Sequence, residues 1–376
     1  MLGFAVATIG GPLALVAIYL PDAAAMRSAG LLVALGLVVY VCPLLVWLRY
    51  SEEIASAGGL AAFVEAAAGR RLALVQAAVW AFSYFLYLPY TITDIVYEML
   101  AVVFPGIEPW RWVLEATLPV GFVALVLLGA TTVLRVLLVS AVLQLVVLLA
   151  FGSVLLAHVG APAHSFTTVP GTRALTHETA AVTLLLVCGS LPLFLGSEAA
   201  GGARTIRMAL VVSAAVVAAY LLFAIFPMAA VPASLRGGDI PGYAAAGAYA
   251  GRWFAVVVGL GAVISVAGVI AAEYVALSRL LWAITGISIR RLLRWIAVPF
   301  VALDLLSLLS PDGFDENVLR PSLIALYLSQ MIVFAVYPLY RRRRERLTIL
   351  DVAIASVAFA VMAWGLYRGI TAPVST

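Results

Sequence analysis

Eleven mostly apolar segments follow one another almost without interruption along this chain of 376 residues, and about twenty such residues in a helix cross the hydrocarbon core of a bilayer. Within lipid, only α-helices and closed barrels satisfy their own backbone hydrogen bonds. The apolar runs are continuous rather than alternating, which selects helices. The expected spans are residues 3–25, 28–49, 73–103, 113–130, 133–157, 178–202, 208–231, 253–284, 292–309, 321–340 and 348–369. The fold class is therefore an all-α polytopic membrane protein. Composition agrees, with 65% hydrophobic and 11% charged residues and a mean hydropathy of +1.14.

Two of the spans carry helix breakers in their middles: Gly10-Gly11-Pro12 in the first, and Gly189-Ser190-Leu191-Pro192 running on to Gly196 in the sixth. Each opens a run of five segments. Paired interruptions at matching positions of two halves are the mark of transporters built from inverted repeats, where freed backbone groups face a substrate at the bilayer midplane. Five helices is an odd number, so the second half is inserted in the opposite sense. The expected organisation is a first five-helix repeat over 1–157, an extracytoplasmic loop over 158–177, a second repeat over 178–340, and a basic loop with an appended eleventh helix over 341–376.

The net charge of +4 and pI near 9.1 come entirely from arginine, since the chain has no lysine. With the N-terminus in the cytoplasm, Arg49, Arg70, Arg71, Arg135, Arg204, Arg207, Arg290, Arg291, Arg294, Arg341 to Arg344 and Arg346 fall inside. Arg27, Arg111, Arg173, Arg236, Arg252, Arg320 and Arg368 fall outside. The excess predicts a multi-pass protein of the inner (plasma) membrane with its N-terminus cytoplasmic and its C-terminus, Thr376, extracytoplasmic. These arginines read as topology determinants, not as a nucleic-acid surface. A signal peptide ending at Asp22-Ala23-Ala24-Ala25 is not expected, because no basic residue precedes Arg27. Cys42 and Cys188 lie in apolar stretches as small hydrophobes. His158, His164 and His177 share one loop without metal-ligand spacing, and no metal or cofactor is expected. No Ser/His/Asp set, HExxH or CxxC motif supports an enzyme, and no sizeable soluble domain supports a receptor. A channel is the harder rival, which saturable, counterflow-stimulated uptake would exclude.

The stretch Ser51 to Arg71 holds Glu53, a Gly58-Gly59-Leu60 turn, a short amphipathic helix and Gly69-Arg70. In the sixth span Phe194, Gly196 and Glu198 stand in F-x-G-x-E spacing, followed by Arg204-Thr205-Ile206 and Ala209, and Ser278-Arg279 ends the eighth. In these motifs the chain resembles permeases of the amino acid-polyamine-organocation (APC) superfamily. The resemblance covers most of residues 1–340. It implies the five-plus-five fold and transport of amino acids or related amines by alternating access. Such permeases carry Gly-x-Gly in the first span, where bare N–H groups hold a substrate carboxylate. Here Pro12 removes one donor yet starts a new half-helix whose N-terminus favours an anion. A plain proline kink is the alternative. Gly10 and Gly11, with Gly189, Ser190 and Gly196, are the candidate substrate-binding backbone, and Gly11→Leu should abolish binding in a folded protein. Phe194 is placed either to gate the ligand or simply to pack.

Tyr84, Tyr87 and Tyr90 recur every third residue on the third span and share a face, either lining a polar pathway or bonding neighbouring helices; Tyr84 and Tyr87 are the candidate ligand contacts. A carboxylate in hydrocarbon costs at least about 2.5 kcal/mol and marks function by default. Four qualify: Asp94, Glu198, Glu273 and Asp304. Asp94 and Asp304 are expected to be solvated near the outer ends, and Glu198 to pair with Arg204 or Arg207. Glu273, mid-span with no charge within a turn, is the leading proton-coupling candidate, with Glu198 second, and a permanently neutral structural role is the alternative. Sodium-coupled relatives place adjacent hydroxyls in the eighth span, where residues 263–272 offer only Ser265. Proton-coupled relatives often place a lysine in the fifth, where this chain has Gln144. The expectation is proton-driven symport insensitive to sodium, with an obligate amino acid/amine exchanger as the alternative.

Overall fold

The computed structural model describes residues 1–23 and 26–371. Ala24 and Ala25 of the signal-like site, and Thr376 at the expected extracytoplasmic terminus, lie outside the described residues. Thirteen helices carry the architecture. The first span is split into α1 (Leu2–Thr8) and α2 (Pro12–Ala14), the latter continuing through a π-helical turn at Leu15–Tyr19. Next come α3 (Ala29–Tyr50), the short α4 (Leu60–Ala68), α5 (Arg70–Asp94), α6 (Arg111–Leu127) and α7 (Ala130–Val159). The second half holds α8 (Thr172–Leu185) with a 3-10 run at Val187–Leu195, then α9 (Gly202–Ile225), α10 (Pro241–Thr285), α11 (Ile289–Ser307) and α12 (Arg320–Arg343). Helix α13 (Ile349–Thr371) closes the described chain.

Ten helical segments among the described residues are long and apolar enough to cross a membrane. The expected ninth span, α11, forms as a helix but falls outside that set. Arg290, Arg291, Arg294 and Asp304 explain why, since the arginines crowd its first turns where long side chains can snorkel to the interface. Helix α10 is too long for one crossing and bends at Gly251, whose φ of 83° no helix interior tolerates.

The eleventh span, additional to the ten helices of the two repeats, is packed into the bundle. Helix α13 packs along α12 and also against α3 and α8. Its first turn is held by Asp351, fully buried, which takes Arg49, Arg341, the Tyr337 hydroxyl at 2.6 Å and the Thr348 hydroxyl at 2.7 Å. At the far end Arg320 donates to the carbonyls of Gly369 and Ile370 at 2.7 and 2.6 Å. Substituting Asp351→Asn keeps the shape but removes the charge that two guanidinium groups share. It is expected to cost roughly 2 kcal/mol, read as a lower melting temperature in detergent; an unchanged melt would make this cluster incidental.

Candidate functional site

The two breaks meet at the centre of the bundle because glycine lets them. Gly10 and Gly11 adopt φ of 64° and 59°, the left-handed region that other residues avoid. A β-carbon at Gly10 would lie 2.7 Å from the Leu185 carbonyl oxygen, and one at Gly11 would lie 2.6 Å from Ser265 Oγ. Gly189 is held tight against the Tyr40 hydroxyl, and Gly196 against the backbone of Ala55 and Ser56. The second break is not open backbone as expected but a nine-residue 3-10 run, long for that geometry. The Gly189 and Gly196 N–H groups bond to Leu186 and Leu193 at 3.0 and 3.3 Å. Ser190, fully buried, donates to the Val187 carbonyl and accepts from Gln330 Nε2, each at 3.2 Å.

Between the breaks lies a cavity of about 530 Å³. The first span contributes Gly10, Leu15 and Tyr19, and α5 contributes Tyr84, Tyr87 and Tyr90. Cys188 comes from the second break, Glu273 from α10, and Tyr327 from α12. Helix α13 adds Trp364 and Arg368. Of the residues expected from sequence, Gly10, Tyr84, Tyr87 and Glu273 line this cavity. Gly11, Gly189, Ser190, Phe194, Gly196 and Glu198 do not. Cys188 and Trp364 were missed. Cys188 adjoins the recognised Gly189, which was a usable signal; nothing in the sequence marks which face of α13 turns inward.

Glu273 is fully buried in the cavity wall. Among the described residues its Oε1 accepts only a thiol contact from Cys188 Sγ at 3.9 Å, and its Oε2 has no partner. Cys188 Sγ in turn lies 3.7 Å from the Tyr84 hydroxyl. Tyr19 donates to Asp94 Oδ2 at 3.2 Å, so Asp94 bonds inward. Asp304, expected at a solvated end, is instead fully buried beside Glu115 of α6, itself fully buried.

Toward the arginine-rich end of the bundle the cavity is shut. Tyr84 stacks on Trp80 with ring centres 4.1 Å apart, Trp80 meets Phe194 at a tilt with ring centres 4.3 Å apart, and Phe194 abuts Gly59. Phe194 thus packs between Trp80 and Gly59, off the cavity lining. Below it Glu198 pairs not with Arg204 or Arg207 but with Arg279, which donates from Nε at 2.9 Å and from Nη2 at 3.2 Å. Further out Glu53 takes Arg344, and Arg346 at 3.1 Å. At the opposite end the rim is Leu319, Arg368 and Gly369, all partly exposed.

A second polar cluster joins the first break to both repeats. The Ala14 N–H donates to Ser265 Oγ at 3.2 Å, Ser265 donates to Gln144 Oε1 at 2.6 Å, and Gln144 Nε2 donates to Ser140 at 3.0 Å. Ser265 and Gln144 are fully buried. Neutral groups thus span the gap between α2, α7 and α10.

No protein-family model matches the sequence, and no curated protein matches it. Solved structures do. The chain is similar in fold to MhsT, crystallised in complex with L-phenylalanine. The two share 16% identity over 98% of each chain with a TM-score of 0.69. Such a likeness establishes the fold, a five-plus-five inverted repeat of the LeuT type, and the ten long apolar helices of the described residues fit a multi-pass membrane protein.

Proposed function

We propose that the chain is a secondary transporter of amino acids or related amines that works by alternating access. The observation that carries this reading is a central cavity, bounded by both helix breaks, shut toward one end by the Tyr84–Trp80–Phe194 stack and edged at the other by Arg368. A passage sealed on one side and reachable from the other is what alternating access requires, whereas a channel needs a continuous path. The L-phenylalanine held by MhsT supports a ligand of that size. The arginine distribution supports an inner (plasma) membrane protein with its N-terminus in the cytoplasm, so the shut end faces the cytoplasm. The APC resemblance of residues 1–340 agrees with this assignment.

The proton is the coupling ion in this reading. Glu273 is the carboxylate among the lining residues, and the bridge through Ser265 and Gln144 supplies a neutral tie where a bound cation would otherwise link the repeats. The test is accumulation of labelled substrate in proteoliposomes under imposed gradients. A proton gradient is expected to drive accumulation, a sodium gradient to have no effect, and Glu273→Gln to abolish the response. Accumulation persisting in that variant would remove Glu273 from coupling. Uptake driven by an inward proton gradient alone is symport; strict dependence on internal substrate is exchange. Unsaturable flux without counterflow would overturn the transporter reading in favour of a channel.

A further inference from the structure

We infer that Glu273 is the anchor for a substrate ammonium, so that the cavity takes an organic amine with an aromatic-sized apolar body in preference to an α-amino acid. This rests on the transporter reading and narrows it. A buried carboxylate without donors is costly. Glu273 has one oxygen unpartnered and the other touched only by a thiol, which is a weak donor and easily displaced. Tyr84 and Tyr87 flank it, and Tyr19, Tyr90 and Tyr327 continue the wall. Aromatic faces attract cations, and the cavity volume leaves room for a ring.

Several of the groups that would hold a carboxylate at the first break are engaged elsewhere. At the first break the N–H of Gly11 bonds to Ala7 at 3.1 Å, that of Ala14 to Ser265, and that of Leu15 to Gly11 at 3.0 Å; Pro12 has none. Arg368 is the one arginine among the lining residues. It sits at the rim, its guanidinium 5.9 Å over the Trp364 ring. Away from the rim the lining residues thus present the Glu273 carboxylate and tyrosine hydroxyls and no arginine.

A further consequence is competition. Cys188 faces Glu273 from the second break, Tyr84 and Tyr87 face it from α5, and Arg368 is the charged group elsewhere in the same cavity. A carboxyl that carries a proton cannot pair with an ammonium, so proton and amine exclude each other at Glu273, and the proton gradient that accumulates an amine in the proteoliposome test is an outward, acid-inside one.

Binding to the purified protein, measured by calorimetry with phenethylamine, L-phenylalanine and 3-phenylpropionate, tests the inference. Phenethylamine is expected to bind about tenfold or more tighter than L-phenylalanine, 3-phenylpropionate not at all, and the amine affinity to fall as pH is lowered. Glu273→Gln should lose the amine preference, and Glu273→Asp, which keeps the charge, should retain it. L-phenylalanine or 3-phenylpropionate binding as tightly as the amine would overturn the inference and leave the transporter reading standing. Gradient-driven or counterflow uptake absent for every amine and amino acid would overturn both.

Discussion

In a chain carrying Gly11→Leu, substrate accumulation is expected to fall to background and the melting temperature of the detergent-solubilised protein to drop. Two costs combine at this position. A non-glycine residue at φ 59° pays roughly 1–2 kcal/mol for left-handed backbone. The new β-carbon also lands 2.6 Å from Ser265 Oγ and 3.0 Å from the Ser265 carbonyl oxygen. The hydroxyl can rotate, but the carbonyl belongs to α10 and cannot give, so overpacking adds typically 1–3 kcal/mol. The same contact breaks the Ala14–Ser265–Gln144 bridge that ties the first break to the bundle. The expectation from sequence, a folded protein that has lost only its ligand, changes accordingly: Gly11 sits behind the cavity and acts on stability and geometry together. Gly121→Leu is the control, since a β-carbon there meets nothing within 4 Å. If Gly11→Leu melted and transported like that control, the first break would be a plain kink.

The fold was largely legible because its signals are local. Apolar runs mark the spans, and Gly10-Gly11-Pro12 and Gly189 to Gly196 mark the breaks, since only such residues interrupt a helix at low cost. Glu273 was legible for a similar reason: a mid-span carboxylate stands out against hydrocarbon. What the sequence hid depends on which helix faces which. Glu198 and Arg279 lie 81 residues apart, whereas Arg204 and Arg207 are near in sequence and were the natural guess. Asp304 looked solvated by its position along α11, yet α6 covers it and brings Glu115 alongside. Phe194 carries a gate motif, but the side on which it closes is decided by Trp80 and Gly59, from two other elements. Between Asp351 and Arg368 helix α13 is apolar on all sides, so no stripe reveals that Trp364 and Arg368 turn toward the cavity.

The aromatic stack and the charged pair beneath it suggest how the shut end is held and released. Trp80, Tyr84 and Phe194 are all buried, and in the transporter reading their rings form the plug and the Glu198–Arg279 pair the latch of the shut end. In a transporter that must open this end, the plug resists leakage and the latch sets the relative energy of the closed state.

Removing the two members of that latch is expected to have unequal effects. The Arg279 side chain is only 5% exposed, whereas that of Glu198 is 33% exposed. Glu198→Ala therefore strands a buried guanidinium whose remaining partner is the Ser278 hydroxyl, at 3.0 Å from Nη1. An uncompensated buried charge costs about 3–5 kcal/mol, so this variant is expected to melt much earlier or to spend most of its time with the latched end open. Arg279→Ala strands a carboxylate that water can reach, and the loss is expected to be about 1 kcal/mol or less. The double variant should recover most of the stability that Glu198→Ala loses, because the stranded charge is gone. Melting temperatures of the three variants test the stability arm, and cysteine labelling from the arginine-rich side at a position beside Phe194 tests the opening. Equal losses from both single variants would mean that the pair acts as an ordinary surface bridge and does not latch the passage.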